Sequence, residues 1–413
     1  MKKNDPGIVE ITRDVKWIGI TDYEIRTFDI VMTTEFGTTY NSFFIDAEKK
    51  TLIEVAKEKF SGKYLEKLRS VTDPREISYI VLDHTEPDHS GSLRIVLEQA
   101  PEATVVGSGN AIRYLEDIVN VPFRSLIVKD GDTLDLGNKT LKFISAPNLH
   151  WPDSIYTWLE EERILFTCDS FGAHYCTPDI FSRLTDEYLS TYKYYFDVIL
   201  KPFSKFMLKA IEKAEPLDIE YICPGHGPVH HENLREVIAI TRKYAEDYLK
   251  LISRSSPIKV LVAYVSAYGY TKEAAELIAT GLRESEGLEV DVTDIENISP
   301  DELSGKLTVS DALLIGSPTI NQNTLPPVYN LFALLNPVRD RGKSAGAFGS
   351  FGWSGEAAGI INSNLRSLKL KVMDEPAQFK FSPGGDKESA LIEFGRKFAG
   401  HILENCKYKN PGE

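Results

Sequence analysis

Short apolar runs alternate with polar breaks marked by glycine and proline along the whole chain, but the two halves use different rhythms. In the first half, Ile77 to Leu82, Thr140 to Ser145, Arg163 to Cys168 and Tyr221 to Cys223 read as buried strands bounded by turn residues. Behind the first of these, Ser90-Gly91-Ser92 precedes the helical spacing of Leu93, Val96 and Leu97, so a capped helix is expected there. A longer helical pattern from Glu236 to Ile252 stops at Ser253-Arg254-Ser255-Ser256-Pro257, a polar linker. Beyond it strands and helices alternate. The strands are Val260 to Val265, Glu289 to Val292, Ala312 to Ile315 and Ser344 to Phe348. The helices are Lys272 to Arg283, Pro300 to Leu307, Pro327 to Leu335 and Gly355 to Leu368. Such a succession predicts a doubly wound parallel sheet. The expected organisation is two α/β domains, 1–254 and 257–413, without internal repeats.

The chain's 413 residues exceed the size at which one core stops growing, which agrees with that division. A net charge of -14 excludes nucleic acid as an expected partner, because phosphate binding needs a basic face. The opening Met1-Lys2-Lys3-Asn4-Asp5-Pro6 leads into no apolar signal core, and no apolar run approaches the roughly 20 residues of a membrane helix. A cytoplasmic location, away from membranes, is therefore expected. The four cysteines, Cys168, Cys176, Cys223 and Cys406, form no CxxC pair, so neither disulfides nor metal knuckles are indicated.

Chemistry concentrates at the exits of the predicted strands. His84-Thr85-Glu86-Pro87-Asp88-His89 follows the first of them. Alternation aims His84, Glu86 and Asp88 one way, with Pro87 keeping the segment out of helix and a turn bringing His89 round. His150 follows Ala146-Pro147-Asn148-Leu149, Asp169 ends another strand, and His226 lies in Pro224-Gly225-His226-Gly227. Strand ends that converge on one rim would collect four imidazoles and three carboxylates, a cage for two metal ions. Carboxylate-rich mixed nitrogen and oxygen donors suit iron, whereas zinc accepts more neutral imidazole; a dinuclear zinc site is the rival.

The pattern HxExDH, followed by His150, Asp169 and His226, resembles the metallo-β-lactamase fold, an αββα sandwich, as flavodiiron proteins use it. Zinc hydrolases of that superfamily usually show HxHxDH, and Glu86 stands here for the second His. The resemblance implies that His84, Glu86 and His150 bind one iron, that Asp88, His89 and His226 bind a second, and that Asp169 bridges them. Two metals so bridged lie about 3.5–4 Å apart. His174 is expected near the pocket, and His230, His231 and His401 as solvated surface residues.

Three loops of the second domain share one edge. Ser266-Ala267-Tyr268-Gly269-Tyr270-Thr271 joins the first strand to its helix, where free N–H groups and hydroxyls can hold a phosphate. Ser317-Pro318-Thr319-Ile320-Asn321 and Ser350-Phe351-Gly352-Trp353-Ser354-Gly355 follow later strands, and Trp353 offers a flat aromatic face. Together they look like a flavodoxin binding FMN, the first loop on the phosphate and the others beside the isoalloxazine. A lactamase-like domain followed by a flavodoxin-like one is the architecture of flavodiiron proteins, and the resemblance covers essentially the whole chain.

That resemblance implies an oxidoreductase carrying FMN and two Fe per chain. It would reduce O2 to water, NO to N2O, or both, in a head-to-tail homodimer or dimer of dimers. Electrons would come from outside. The chain ends at Pro411-Gly412-Glu413 without the cysteine pairs of a fused rubredoxin, so a separate rubredoxin is the expected donor and reduced coenzyme F420 the alternative. Tyr195 is the candidate pocket donor, with a packed aromatic role as the plainer one. Asp29-Ile30 stands where the family commonly has a His-Gly pair, which changes the polar group near the pocket. Two other functions fit parts of the sequence: a zinc hydrolase fused to a flavodoxin, and an electron-transfer protein whose first domain is only a scaffold.

Overall fold

A computed structural model describes residues 5–30, 32–253 and 256–407. The linker step Arg254-Ser255, the first residues Met1 to Asn4 and the terminal Pro411-Gly412-Glu413 lie outside the described residues. Two compact units divide the chain, Met1–Leu249 and Lys250–Glu413.

Four layers make the first unit. One sheet runs in the order Val9–Glu10, Val15–Trp17, Phe43–Ile45, Lys50–Ile53, Ile77–Val81, Thr104–Gly107, Arg124–Ile127, and a second in the order Thr133–Asp135, Thr140–Ser145, Ile155–Leu159, Ile164–Cys168, Tyr221–Pro224. Both orders follow the sequence. The inner strands Phe43–Ile45, Ile155–Leu159 and Ile164–Cys168 are buried at every position because both faces of the sheets are covered there, whereas the edge strand Arg124–Ile127 is exposed. Phe43, Ile45, Val81 and Val106 of the first sheet meet Phe143, Ile164, Phe166 and Cys223 of the second. The intervening Phe44 and Ile80 turn outward onto Tyr64, Leu68, Leu93 and Leu115, from the helices Ser61–Val71, Leu93–Gln99 and Gly109–Val119. On the far side Ile144, Leu165 and Ile222 pack against Tyr192, Met207, Ile211 and Val237, carried by Asp186–Tyr195, Ser204–Ala214 and Leu234–Ile252. This is the αββα sandwich.

In the second unit the parallel sheet runs Leu288–Asp294, Ile258–Tyr264, Ala312–Gly316, Ser344–Phe351, with Lys371–Val372 and Ala377–Lys380 both paired to the last of these. Apart from the division of its outermost strand, that is the flavodoxin order 2-1-3-4-5, whose switch point falls between Ile258–Tyr264 and Ala312–Gly316. The two outermost strand pieces and the helix Asp386–Lys407 go beyond the elements read from sequence. Among the described residues, no helix is long and apolar enough to cross a membrane.

Two local expectations fail. The helix Leu93–Gln99 forms, but Ser92 gives it no side-chain cap, its hydroxyl donating to the Lys57 carbonyl at 3.3 Å instead. Pro87 does not keep the donor run out of helix, because Pro87–Ser90 is a helical turn with Glu86 as its N-cap. Proline at the first helical position lacks only an N–H that would have had no partner there, and its fixed φ suits the helix.

Candidate metal centre and flavin site

The helical turn decides how the donors divide. Glu86 precedes it in an extended conformation, while Asp88 and His89 lie within it and project in other directions. Thus Glu86 joins His84, His150 and Asp169, whereas Asp88 joins His89 and His226, the donor atoms of each group lying within 4.8 Å of one another. The expected common direction of His84, Glu86 and Asp88 does not hold, yet all seven residues meet.

Asp169 connects the two groups. Its Oδ2 lies 3.2 Å from His150 Nε2 and 3.6 Å from His84 Nε2, and its Oδ1 lies 3.2 Å from His89 Nε2 and 3.7 Å from His226 Nε2. Glu86 Oε2 faces His150 and His84 at 3.1 and 3.3 Å, and Asp88 Oδ2 faces His226 and His89 at 2.9 and 3.4 Å. All four Nε2 atoms therefore point inward at carboxylate oxygens. The buried Asp88 Oδ1 has no hydrogen-bond partner. Four imidazole nitrogens and three carboxylates around two centres, with one carboxylate common to both, fit a pair of iron ions.

Burial opposes charge on the imidazoles, but the carboxylates outweigh it. Asp169 and Glu86 push His150 up to about 9. His84 and His89 are raised in the same way, His84 by Asp153, Glu86 and Asp169, His89 by Asp88 and Asp169. The reciprocal effect holds Asp169 well below the ordinary carboxyl range despite complete burial. Protons on the imidazoles thus stand where cations would.

The outer nitrogens are anchored by residues that the sequence did not single out. Asp153 Oδ2 lies 3.1 Å from His84 Nδ1 and accepts from Thr85 N and Oγ1 at 2.8 Å each. The Thr39 carbonyl lies 2.5 Å from His226 Nδ1. Such contacts fix the tautomer that leaves Nε2 for a metal. Gly225 is required for space, since a Cβ there would sit 2.5 Å from His89 Cε1.

Tyr195 O–H donates to Asp169 Oδ1 at 3.1 Å from full burial, so the aromatic packing role and the pocket role coincide. Burial and the nearby Asp169 charge raise its phenol well above the usual range. His174 bonds Thr38 Oγ1 through Nδ1 at 2.9 Å, stacks on Phe28, and keeps a buried Nε2 with no partner. Burial and His226 hold it well below the ordinary imidazole range, so it is neutral. Asp29 and Ile30 both take left-handed backbone, φ 46° and 68°, at an exposed hairpin tip. Burial of part of its carboxyl, then Glu86 and Asp88, raise Asp29.

His230 is not solvated. It is fully buried, with Nε2 2.8 Å from the Phe171 carbonyl and Nδ1 3.0 Å from Ser182 Oγ, and burial lowers it to about 4. Its backbone pairs with Ile222 beside the sheet, which draws it inside. His231 is half-buried and stacks on Tyr221, and His401 is half-buried with Nε2 3.0 Å from the Lys371 carbonyl.

In the second unit, Tyr268, Tyr270, Pro318, Thr319, Ile320, Asn321, the run Ser350 to Ser354 and Phe381 line a cavity of about 330 Å³. Ser266, Ala267, Gly269, Thr271, Ser317 and Gly355 are not in that lining. Thr271 is buried, its hydroxyl 3.0 Å from Ser350 Oγ, and Ser317 Oγ braces its own loop by accepting from Leu325 N. Ser266 Oγ is buried without a partner, and the helix Tyr270–Arg283 starts at Gly269 with no side-chain cap. An orphan hydroxyl beside uncapped N–H groups fits a phosphate. Trp353 and Tyr268 are 79% and 80% exposed, broad faces for a planar ring. Phe381 joins them although the sequence reading passed over it; it follows a short strand and packs on Gly352.

Residues 38–227 match the family described as ODP family beta lactamase, and residues 262–395 match Flavodoxin. The flavo-diiron protein FprA2 of Clostridium acetobutylicum is 39% identical over 95% of this chain and 99% of its own length. The chain belongs to the flavodiiron proteins. The type A flavoprotein of Rhodobacter capsulatus is 35% identical over 96% of this chain and 92% of its own. Among solved structures, the Giardia intestinalis flavodiiron protein aligns with a TM-score of 0.63 at 31% identity, covering 99% of this chain and 100% of that one. Rubredoxin oxygen:oxidoreductase from Desulfovibrio gigas aligns with a TM-score of 0.67 at 27% identity, covering 97% and 99%. As a flavodiiron protein, the chain is an oxidoreductase whose cofactors are FMN and a diiron centre.

Proposed function

We propose that this flavodiiron protein reduces O2 to water and NO to N2O, with His84, Glu86, His150 and Asp169 holding one iron and Asp88, His89, His226 and Asp169 the other. The observation that carries the reading is the division of Asp169, one oxygen turned to each donor group. When bound, the iron pair supplies adjacent redox sites for a diatomic gas, and FMN supplies electrons singly or in pairs. O2 to two waters takes four electrons and four protons; two NO to N2O and one water takes two of each.

The protein's own residues hold the donors and handle protons. Tyr195 keeps its phenol proton, because burial and Asp169 disfavour phenolate, and it serves as a hydrogen-bond donor at the pocket wall. His174, neutral and with Nε2 unpartnered, adds a second polar group beside His226. Ser266 and the N-terminus of Tyr270–Arg283 hold the flavin phosphate, while Tyr268, Trp353 and the loops from Ser317 to Asn321 and Ser350 to Gly355 hold the ring. Electrons arrive from an external carrier; the name of the Desulfovibrio gigas relative favours a rubredoxin. Two chains pair head to tail, flavin of one to iron pair of the other, in the cytoplasm.

Protein loaded anaerobically with iron and FMN, reduced through rubredoxin, tests this by its consumption of each gas. Turnover of O2 and NO that disappears in Asp169→Ala supports the proposal. Two irons and FMN without consumption of either gas would sink it, and turnover of a thioester or lactam without reductant would favour the hydrolase.

A further inference from the structure

A third cluster lies behind the cage: Glu54, His89 and Cys168, all buried, with donor atoms within 4.8 Å of one another. Its meaning follows from the proton on His89. An imidazole that ligates through Nε2 is neutral and carries its hydrogen on Nδ1, and in a dry site that N–H needs an acceptor. Asp153 meets this need for His84 and the Thr39 carbonyl for His226. Around His89 Nδ1 stand two atoms, Cys168 Sγ at 3.6 Å and Glu54 Oε2 at 3.8 Å. Sulfur is a weak acceptor. Glu54 Oε2 is a carboxyl oxygen, buried and without a hydrogen-bond partner.

We propose that Glu54 is a positioning residue for the second iron: its Oε2 accepts the Nδ1–H of His89 and so fixes the ring that ligates through Nε2. The inference rests on the ligand assignment made above. A shift of less than about 1 Å brings the pair into hydrogen-bond range.

The rest of Glu54 is built for such a role. Its Oε1 accepts from the backbone N–H groups of Asp83 and His84 at 2.7 and 3.2 Å, so the same carboxyl also holds the entrance of the donor run. The next residue, Val55, donates its N–H to the His89 carbonyl at 3.1 Å, holding its far end. Glu54 itself has φ 59°, left-handed backbone that a non-glycine side chain seldom takes. The conformation is held by Glu54 N donating to the Val81 carbonyl and Ser42 Oγ donating to the Glu54 carbonyl. A strained position occupied by a buried carboxyl aimed at a metal ligand points to selection for that side chain.

Glu54→Gln separates the two functions of the carboxyl. The amide oxygen still satisfies Asp83 N and His84 N, which leaves the NH2 group facing His89 Nδ1. A donor there moves the imidazole proton to Nε2 and blocks ligation. Full-length wild type, Glu54→Gln and Cys168→Ala are loaded with ferrous iron anaerobically and titrated with a chelator. The iron-57 Mössbauer spectrum and the melting temperature of the metal-free proteins are recorded alongside. The expected result is about 10–100-fold weaker binding of one iron in Glu54→Gln, with the other within twofold of wild type. One ferrous component of the spectrum is then depleted, the metal-free melting temperature is unchanged, and Cys168→Ala stays near wild type. Both irons held within twofold in Glu54→Gln would overturn the proposal. So would equal weakening of both irons together with lower metal-free stability, which marks a purely backbone role, or a loss in Cys168→Ala as large as in Glu54→Gln. A wild type that binds fewer than two irons would overturn the ligand assignment itself, and this inference with it.

Discussion

The candidate metal cage and the candidate flavin loops are stabilised differently. In the cage, each inward nitrogen already faces a carboxylate oxygen, and protons raised onto His84, His89 and His150 offset the anions. The flavin loops are braced in part, by Thr271 on Ser350 and by Leu325 N and Ala357 N donating to Ser317 and Thr319, but Ser266 Oγ is orphaned, and Trp353 and Tyr268 stand mostly exposed. A cation has a stand-in made of protons, whereas an aromatic ring and a phosphate have none. The cage should therefore keep its shape without metal and exchange protons for it, while the flavin loops should gain their order from the ligand.

The strongest way to break this contrast is Asp169→Ala. Loss of the shared carboxylate should lower affinity at both irons by about two orders of magnitude or more and remove gas reduction, while FMN content stays at wild-type level. Iron analysis together with flavin absorbance checks both halves; an unchanged iron content would refute the shared role. Trp353→Ala should do the converse, weakening FMN about tenfold by fluorescence titration and leaving iron untouched.

Acidity sharpens the comparison further. Iron binding must displace the proton that His150 holds up to about 9, so iron affinity should fall as pH drops below that value, by up to about tenfold per unit for each proton released. The metal-free protein has the opposite dependence. A raised imidazole contributes stability fully below its unfolded value of about 6.5 and loses it as pH rises through the folded value, so the metal-free melting temperature should drop between pH 7 and 9. Proton release by calorimetry in two buffers and melting curves across that range test the sign. FMN affinity should change little over the same interval.

The smallest expected effect is that of Tyr195→Phe. Removal of one hydroxyl should slow gas reduction by about threefold to tenfold, with iron and FMN contents unchanged. Rates equal to wild type would reduce Tyr195 to a packing residue.

The convergence of the seven candidate donors was legible because each sits beside a strand exit and four share one six-residue run. Their anchors were not. Asp153 reaches His84 from another loop and Thr39 reaches His226 through a backbone carbonyl, which carries no residue-type signal at all. The burial of His230 was not legible, because the bridge to Ile222 that draws this stretch beside the sheet is an isolated pair and leaves no periodic pattern. The Pro87 turn was missed for want of distinguishing proline at a helix start from proline against helix. In the second unit, the strand pieces Lys371–Val372 and Ala377–Lys380 are too short for periodicity to show. The helix Asp386–Lys407 did carry a usable pattern in Leu391, Phe394, Phe398 and Ile402, which line its buried face.

The five-stranded sheet has a consequence for how such a protein can change over time. Asp169 and His226 leave neighbouring strand ends, Ile164–Cys168 and Tyr221–Pro224, yet the chain between those strands is a long excursion that carries His174 and Tyr195. Donors are fixed by the sheet, and the wall that a gas molecule would meet is drawn from the excursion. Positions of the excursion that neither pack on the sheet, as Tyr192, Met207 and Ile211 do, nor touch a donor, as Tyr195 does, can change the wall while Asp169 and His226 stay in place.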